Sequence, residues 1–117
     1  MIDLGDVRRQ IETDPSHWVV YLMDFVDDFR YHKNPAAVAR PFKRADDRFD
    51  ALLASVAEYL CDELGIKIPD WLGQVPACKE PWFISGVENL KAIAIVESPL
   101  RFRIRKIFVL ENFLSRA

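Results

Sequence analysis

The chain is short of several things at once. It has only two cysteines, Cys61 and Cys78, and only four glycines in 117 residues. Neither cysteine belongs to a CxxC pair, and two thiols cannot make a four-thiolate zinc site. They are expected to be reduced thiols, at least one of them buried, with Cys61 inside an apolar helical pattern. No long apolar run is present. Stretches such as Ala92–Val96 fall far short of the roughly 20 residues that a membrane helix needs. The first residues, Met1-Ile2-Asp3-Leu4-Gly5-Asp6, carry neither a basic head nor an apolar stretch, so no secretory signal is expected and a cytoplasmic location follows. Charge of one sign is also lacking, because the formal net charge is only −2.

Catalytic templates are missing too. No serine lies in a GxSxG setting, and there is neither a GxGxxG loop nor a Walker-type lysine loop. No cofactor is expected, and a non-enzymatic role is the leading reading.

What is present is apolar and aromatic. Half of the residues are apolar and 12% are aromatic. That composition excludes a disordered chain. The length fits one domain, residues 1–117, because a single domain typically takes about 100–150 residues.

Trp18, Leu22, Phe25, Val26 and Phe29 repeat at helical spacing over about residues 16–31. Asp14-Pro15 offers a cap and a first-turn proline, and Asn34-Pro35 stops the helix. A shorter helix is expected over residues 3–12. A second long helix is expected over residues 46–64, with Phe49, Leu53, Val56, Leu60 and Leu64 inward and Gly65 as a left-handed cap. A third is expected over residues 84–97. Its centre, Ala92–Val96, is apolar all round and reads as the most buried helix. Leu90, Ile93, Ala94 and Val96 therefore join the expected core. Residues 100–117 are ambiguous between a short strand over 101–105 and a basic turn or short helix leading into a C-terminal helix; the latter is preferred. The expected fold is all-α, an orthogonal or up-down bundle of three long and two or three short helices.

Three constellations have chemical interest. His17, Tyr21, Asp24, Asp28 and His32 form a polar stripe on the first long helix. Imidazoles and carboxylates can ligate a divalent metal, which makes a metal-dependent enzyme a second alternative function. The two histidines are about 22 Å apart, however, at 1.5 Å per residue. No metal ligand is assigned, and a solvated charged face is the preferred reading. The second is the C-terminal basic run. Residues 98–117 hold Arg101, Arg103, Arg105, Lys106 and Arg116 against Glu111, while residues 1–30 hold three basic groups against seven acids. The run can contact phosphates, which makes nucleic-acid binding the first alternative function. It can equally pair with acids of the same chain or of a dimer mate. A third cluster, Arg40, Lys43, Arg44 and Arg48, is diluted by Asp46, Asp47 and Asp50 and reads as ion pairs at a helix start.

Trp71, Trp82 and Phe83 flank a proline-rich connection. Exposed, they would suit a protein partner; turned inward, they roof the core of a small domain.

Pro69-Asp70-Trp71, Glu80-Pro81-Trp82-Phe83, Ala94-Ile95-Val96-Glu97-Ser98-Pro99, Arg105-Lys106-Ile107-Phe108-Val109 and Leu114-Ser115-Arg116 resemble the C-terminal part of a small uncharacterised bacterial family. Its members are encoded beside nucleotidyltransferase-like toxin genes, and some begin with a helix-turn-helix segment that this chain does not show. The resemblance covers less than half of the chain. It implies a cytoplasmic interaction module, antitoxin-like. The expectation is a protein partner, with a homodimer also open and no membrane. The partner surface would use Trp71, Trp82, Phe83, Arg101, Arg103, Arg105 and Lys106.

Overall fold

In the computed structural model the described residues are 1–86 and 88–115. They are mostly helical. Five α-helices are formed among them, α1 (Leu4–Thr13), α2 (Trp18–His32), α3 (Asp47–Leu64), α4 (Lys91–Glu97) and α5 (Leu100–Arg103). Two short strands, β1 (Trp82–Phe83) and β2 (Ile107–Phe108), pair in parallel.

Local chemistry explains the helix ends. Asp3 and Asp6 form a capping box at the start of α1. Asp46 caps α3 by accepting the N–H groups of Arg48 at 2.9 Å and Phe49 at 3.1 Å. Gly65, with φ of 69°, closes α3 in the left-handed conformation expected of it. Asp14 behaves differently from expectation. It caps nothing with its side chain, and Pro15 opens a 3-10 turn, Pro15–His17, ahead of α2.

Helices α1, α2 and α3 pack on one another, each with its apolar stripe inward. Leu4, Val7 and Ile11 of α1 meet Leu22, Phe25, Val26 and Phe29 of α2 and the body of α3. Every residue from Asp50 to Glu58 in α3 is buried. The most buried helix is therefore α3, and the expectation that residues 84–97 would fill this role is corrected. That helix shortens to α4, because Gly86 turns the chain with φ of 66° and Glu88–Leu90 forms a 3-10 turn ahead of it. Val87, within the expected helix, lies outside the described residues. Leu90 is only half-buried, Ile93 is 47% exposed and Val96 79% exposed, and of the four expected core residues here only Ala94 is buried. Five successive apolar residues on a helix of two turns cannot all face one side.

The C-terminal ambiguity resolves as a short helix followed by a strand. α5 covers Leu100–Arg103, and the strand lies at 107–108 rather than 101–105. The expected C-terminal helix is absent among the described residues. Leu110–Leu114 forms turns closed by bonds from Phe113 to Leu110 and from Ser115 to Asn112. Arg116 of the basic run lies outside the described residues.

Candidate functional site

The C-terminal half is attached to the helical core by buried apolar residues, among them Leu72, Phe102 and Ile107, and by a few directed bonds. Arg105 is the central one. It is 4% exposed, forms an ion pair with Glu58 of α3, and donates through Nη2 to the Leu72 carbonyl at 2.7 Å and through Nε to the Val75 carbonyl at 3.2 Å. One guanidinium thus ties together α3, the 3-10 turn Asp70–Gln74 and the segment leading into β2. Ser98, also buried, donates its hydroxyl to the Ala94 carbonyl and accepts the Val109 N–H at 2.8 Å, joining the end of α4 to the end of β2. Arg30 of α2 grips Glu63 with two bonds, at 2.8 and 2.9 Å, and reaches the Leu114 carbonyl at 2.6 Å. The Glu63 carboxylate beside it raises the Arg30 pKa above its ordinary value.

These bonds divide the basic run. Arg105 was expected on a partner surface; it is buried, and that expectation is corrected. Arg101 is half-buried and donates to Asp62 at 2.9 and 3.3 Å, and the hydrogen bond to this carboxylate raises its pKa. Arg103 and Lys106 are exposed and have no side-chain partner among the described residues. A phosphate-binding patch of four cations is thus reduced to two that are uncommitted.

The aromatic residues of the proline-rich connection are occupied internally. Trp71 donates its indole N–H to the Val38 carbonyl at 2.9 Å and stands edge-on to Phe42, with centroids 5.3 Å apart. Trp82 packs between Trp18 at 5.9 Å and Phe49 at 5.6 Å, under the guanidinium of Arg48. Phe83 stacks on Phe108 at 4.9 Å, with Lys91 over its ring. All three are half-buried, roofing the core while keeping one edge at the surface.

Sequence reasoning missed a set of exposed apolar side chains that lie, in chain order, between Phe83 and Lys106. Ile93, Ile95 and Val96 of α4, Leu100 of α5 and Ile104 just after it are all at least 47% exposed. Within α4, Ala94 alone is buried, so the helix rests on the molecule through its smallest inner side chain. The signal was available: a helix confined between Gly86 and Pro99 is too short to be wrapped on all sides, so an all-round apolar pattern must leave some of it outside.

The polar stripe of α2 does not converge on a metal. Asp14 accepts hydrogen bonds from Ser16 and Tyr21 and lies 2.8 Å from His17 Nδ1. The Ser16, Tyr21 and His17 bonds, in that order, hold the Asp14 carboxyl below its usual range. The same contact to Asp14 raises the Tyr21 phenol. Asp28 accepts the Ile2 N–H at 2.7 Å and sits 3.4 Å from His32. Among the described residues no three His, Cys, Asp or Glu side chains group so as to hold a metal ion. Cys61 and Cys78 are both buried and unbridged. Burial, with Asp62 and Glu58 nearby, pushes the Cys61 thiol up to about 11, and burial raises Cys78 as well. Neither is a ready thiolate nucleophile. No helix is long and apolar enough to cross a membrane among the described residues.

Compared with known proteins, the chain matches no protein-family model, no curated protein and no solved structure.

Proposed function

We propose that this protein is a cytoplasmic, non-enzymatic interaction module in which α1–α3 form a small helical bundle and the α4–α5 face docks another protein. The observation that carries this reading is the exposure of Ile93, Ile95, Val96, Leu100 and Ile104 within twelve residues of chain. Soluble proteins seldom leave so many large apolar side chains exposed along one short stretch unless something binds there. Covering a Val, Leu or Ile side chain fully is worth roughly 1.5–3 kcal/mol before ordering costs, so a few of them suffice to anchor a complex. Arg103 and Lys106 border this stretch in sequence and lack acids of their own, so the partner that fits has an apolar centre and an acidic rim. The resemblance of the C-terminal half to proteins encoded beside toxin genes supports an antitoxin-like role.

The test is purification of the intact chain from its native cells, with mass measured by light scattering. A stoichiometric protein partner is expected. It should be lost with the double substitution Val96→Asp and Leu100→Asp, and weakened when Arg103 and Lys106 are both changed to Glu. A chain that always runs at 13.6 kDa alone contradicts the reading. A particle of two copies would assign the face to self-association instead. Retention of nucleic acid, with affinity falling steeply as salt rises, would favour the phosphate-binding alternative.

A further inference from the structure

A second outward face lies on α2. Val20, Asp24, Asp27 and Tyr31 recur at i, i+4, i+7 and i+11, which is one stripe at helical spacing. All four are exposed, Val20 by 54% and Tyr31 by 82%. The other side of the helix, with Leu22, Phe25, Val26 and Phe29, is the part that packs into the core. Asp27 interacts with Arg30 of the same helix. Asp24 has no partner among the described residues. The stripe is thus apolar at its two ends and acidic in its middle.

The outward side of α5 has the converse pattern. Phe102 turns into the core. Leu100, Arg103 and Ile104, at i, i+3 and i+4, take the other side of the turn, and all three are exposed. Ile104 continues the helical backbone, its N–H donating to the Leu100 carbonyl at 3.0 Å. Arg103 and, beyond it, Lys106 have no side-chain partner among the described residues. Beside Leu100 a cleft of about 560 Å³ opens between α3 and α5, with Tyr59 and Pro99 on its wall. The charges at its rim are already matched, Arg101 to Asp62 and Glu63 to Arg30. The cleft is therefore a seat for an aromatic or apolar group and not for an ion.

These two faces fit each other but not themselves. Pairing α2 with α2 brings together four carboxylates, Asp24 and Asp27 from each copy. Pairing α5 with α5 sets Arg103 and Lys106 against their own kind. Like charges so placed repel. Pairing α2 with α5 joins apolar ends to apolar ends and a free acid to free cations. Both faces are exposed in one molecule, so the complement comes from a second one.

We infer that the chain, when it carries no other partner, associates with a second copy of itself, the α2 stripe of one copy lying on the α5 face of the other, with Tyr31 in the cleft beside Leu100 and Asp24 paired with Arg103. An aromatic side chain seated in a pocket is the kind of anchor that dominates protein interfaces. The inference rests on the docking reading in taking the α4–α5 face as a binding face, and it names what covers that face in the free chain.

The test is sedimentation equilibrium of the full chain, produced alone in a foreign host, over about 5 μM to 1 mM, the range of weak association. The mass should rise reversibly above 13.6 kDa as concentration increases. Tyr31→Ala should weaken association at least about tenfold, and Asp24→Arg or Arg103→Asp each about fivefold. The two charge-reversed chains, mixed, should associate with each other more tightly than either does with itself. A chain that stays at 13.6 kDa throughout overturns the inference, and so does full association in Tyr31→Ala or a mixture that associates no better than its components. A monomer here, together with a protein partner retained from native cells, sinks this inference alone. A self-associating chain that brings no partner from native cells sinks the docking reading alone.

Discussion

The α1–α3 assembly and the segment from residue 70 to residue 115 share one apolar core but are built differently. In the first, apolar stripes meet along whole helices, and Phe25, Leu22, Leu53 and Leu60 are completely buried. In the second, short helices and two-residue strands are fixed both by buried apolar anchors such as Leu72, Phe102 and Ile107 and by polar bonds from Arg105, Ser98 and Arg30, while Ile95, Val96 and Leu100 face outward. Continuous packing makes a scaffold that turns its apolar stripes inward, although Val19, Val20 and Tyr31 of α2 stay exposed. The second region holds itself by buried apolar anchors together with buried polar bonds and still displays apolar side chains on its outside. The difference teaches that the C-terminal half adds buried polar bonds to its buried apolar anchors, Leu72, Phe102 and Ile107, where the helical core relies on apolar stripes along whole helices.

Substitutions can break this comparison. The largest effect should come from Glu58→Ala or Arg105→Met. Each strands a charge at a side chain only 5% exposed, and loss of about 3–5 kcal/mol in urea unfolding is expected. Leu53→Ala, in the helical core, should cost roughly 2–5 kcal/mol by removing packed atoms and leaving a cavity. Val96→Ala removes apolar atoms of the same kind from the other region, yet it should stay within about 0.5 kcal/mol of the parent. Between these lies the exposed pair of Arg101 and Asp62, with side chains 32% and 51% accessible. Arg101→Ala should cost about 0–1 kcal/mol, and less in high salt.

The smallest effect is a pH dependence. The folded pKa of Asp14 is depressed, so its bonds to Ser16, Tyr21 and His17 stabilise the fold above the unfolded carboxyl value of about 3.9. That contribution is lost as pH falls through the lower folded value. Asp14→Asn should flatten the acid limb of a stability profile measured between neutral pH and pH 2 or so. The parent chain retaining the same slope as the variant would contradict the assignment.

Much of the scaffold could be read from sequence because it rests on periodicity and caps. The inward residues of α2 and α3, the Asp46 start and the Gly65 stop follow from spacing and local backbone chemistry. The short helix α1 also fell where its pattern put it. The C-terminal half was not legible in the same way. The apolar run Ala92–Val96 looks identical whether a helix is wrapped or perched, and only tertiary contacts decide. Arg105 shares its alternating pattern with Arg101 and Arg103, and nothing in that pattern says that one of the three is buried against an acid 47 residues earlier. A hint existed on the other side. Glu58 is the single charge between Ala51 and Cys61, and a lone acid in so apolar a helix demands a cation. Arg8, set among Leu4, Val7 and Ile11, carried the same kind of hint. Both signals concern conflict between a residue and its neighbours, and both mark places where distant parts of the chain meet.

The central claim is that the α4–α5 face is displayed for a partner and is dispensable to the fold. Thermal unfolding and light scattering on the Val96→Asp, Leu100→Asp chain from native cells test both parts together. The predicted result is a melting temperature indistinguishable from that of the parent, with the associated protein gone. A chain that melts early, or one that still carries its companion undiminished, would contradict it.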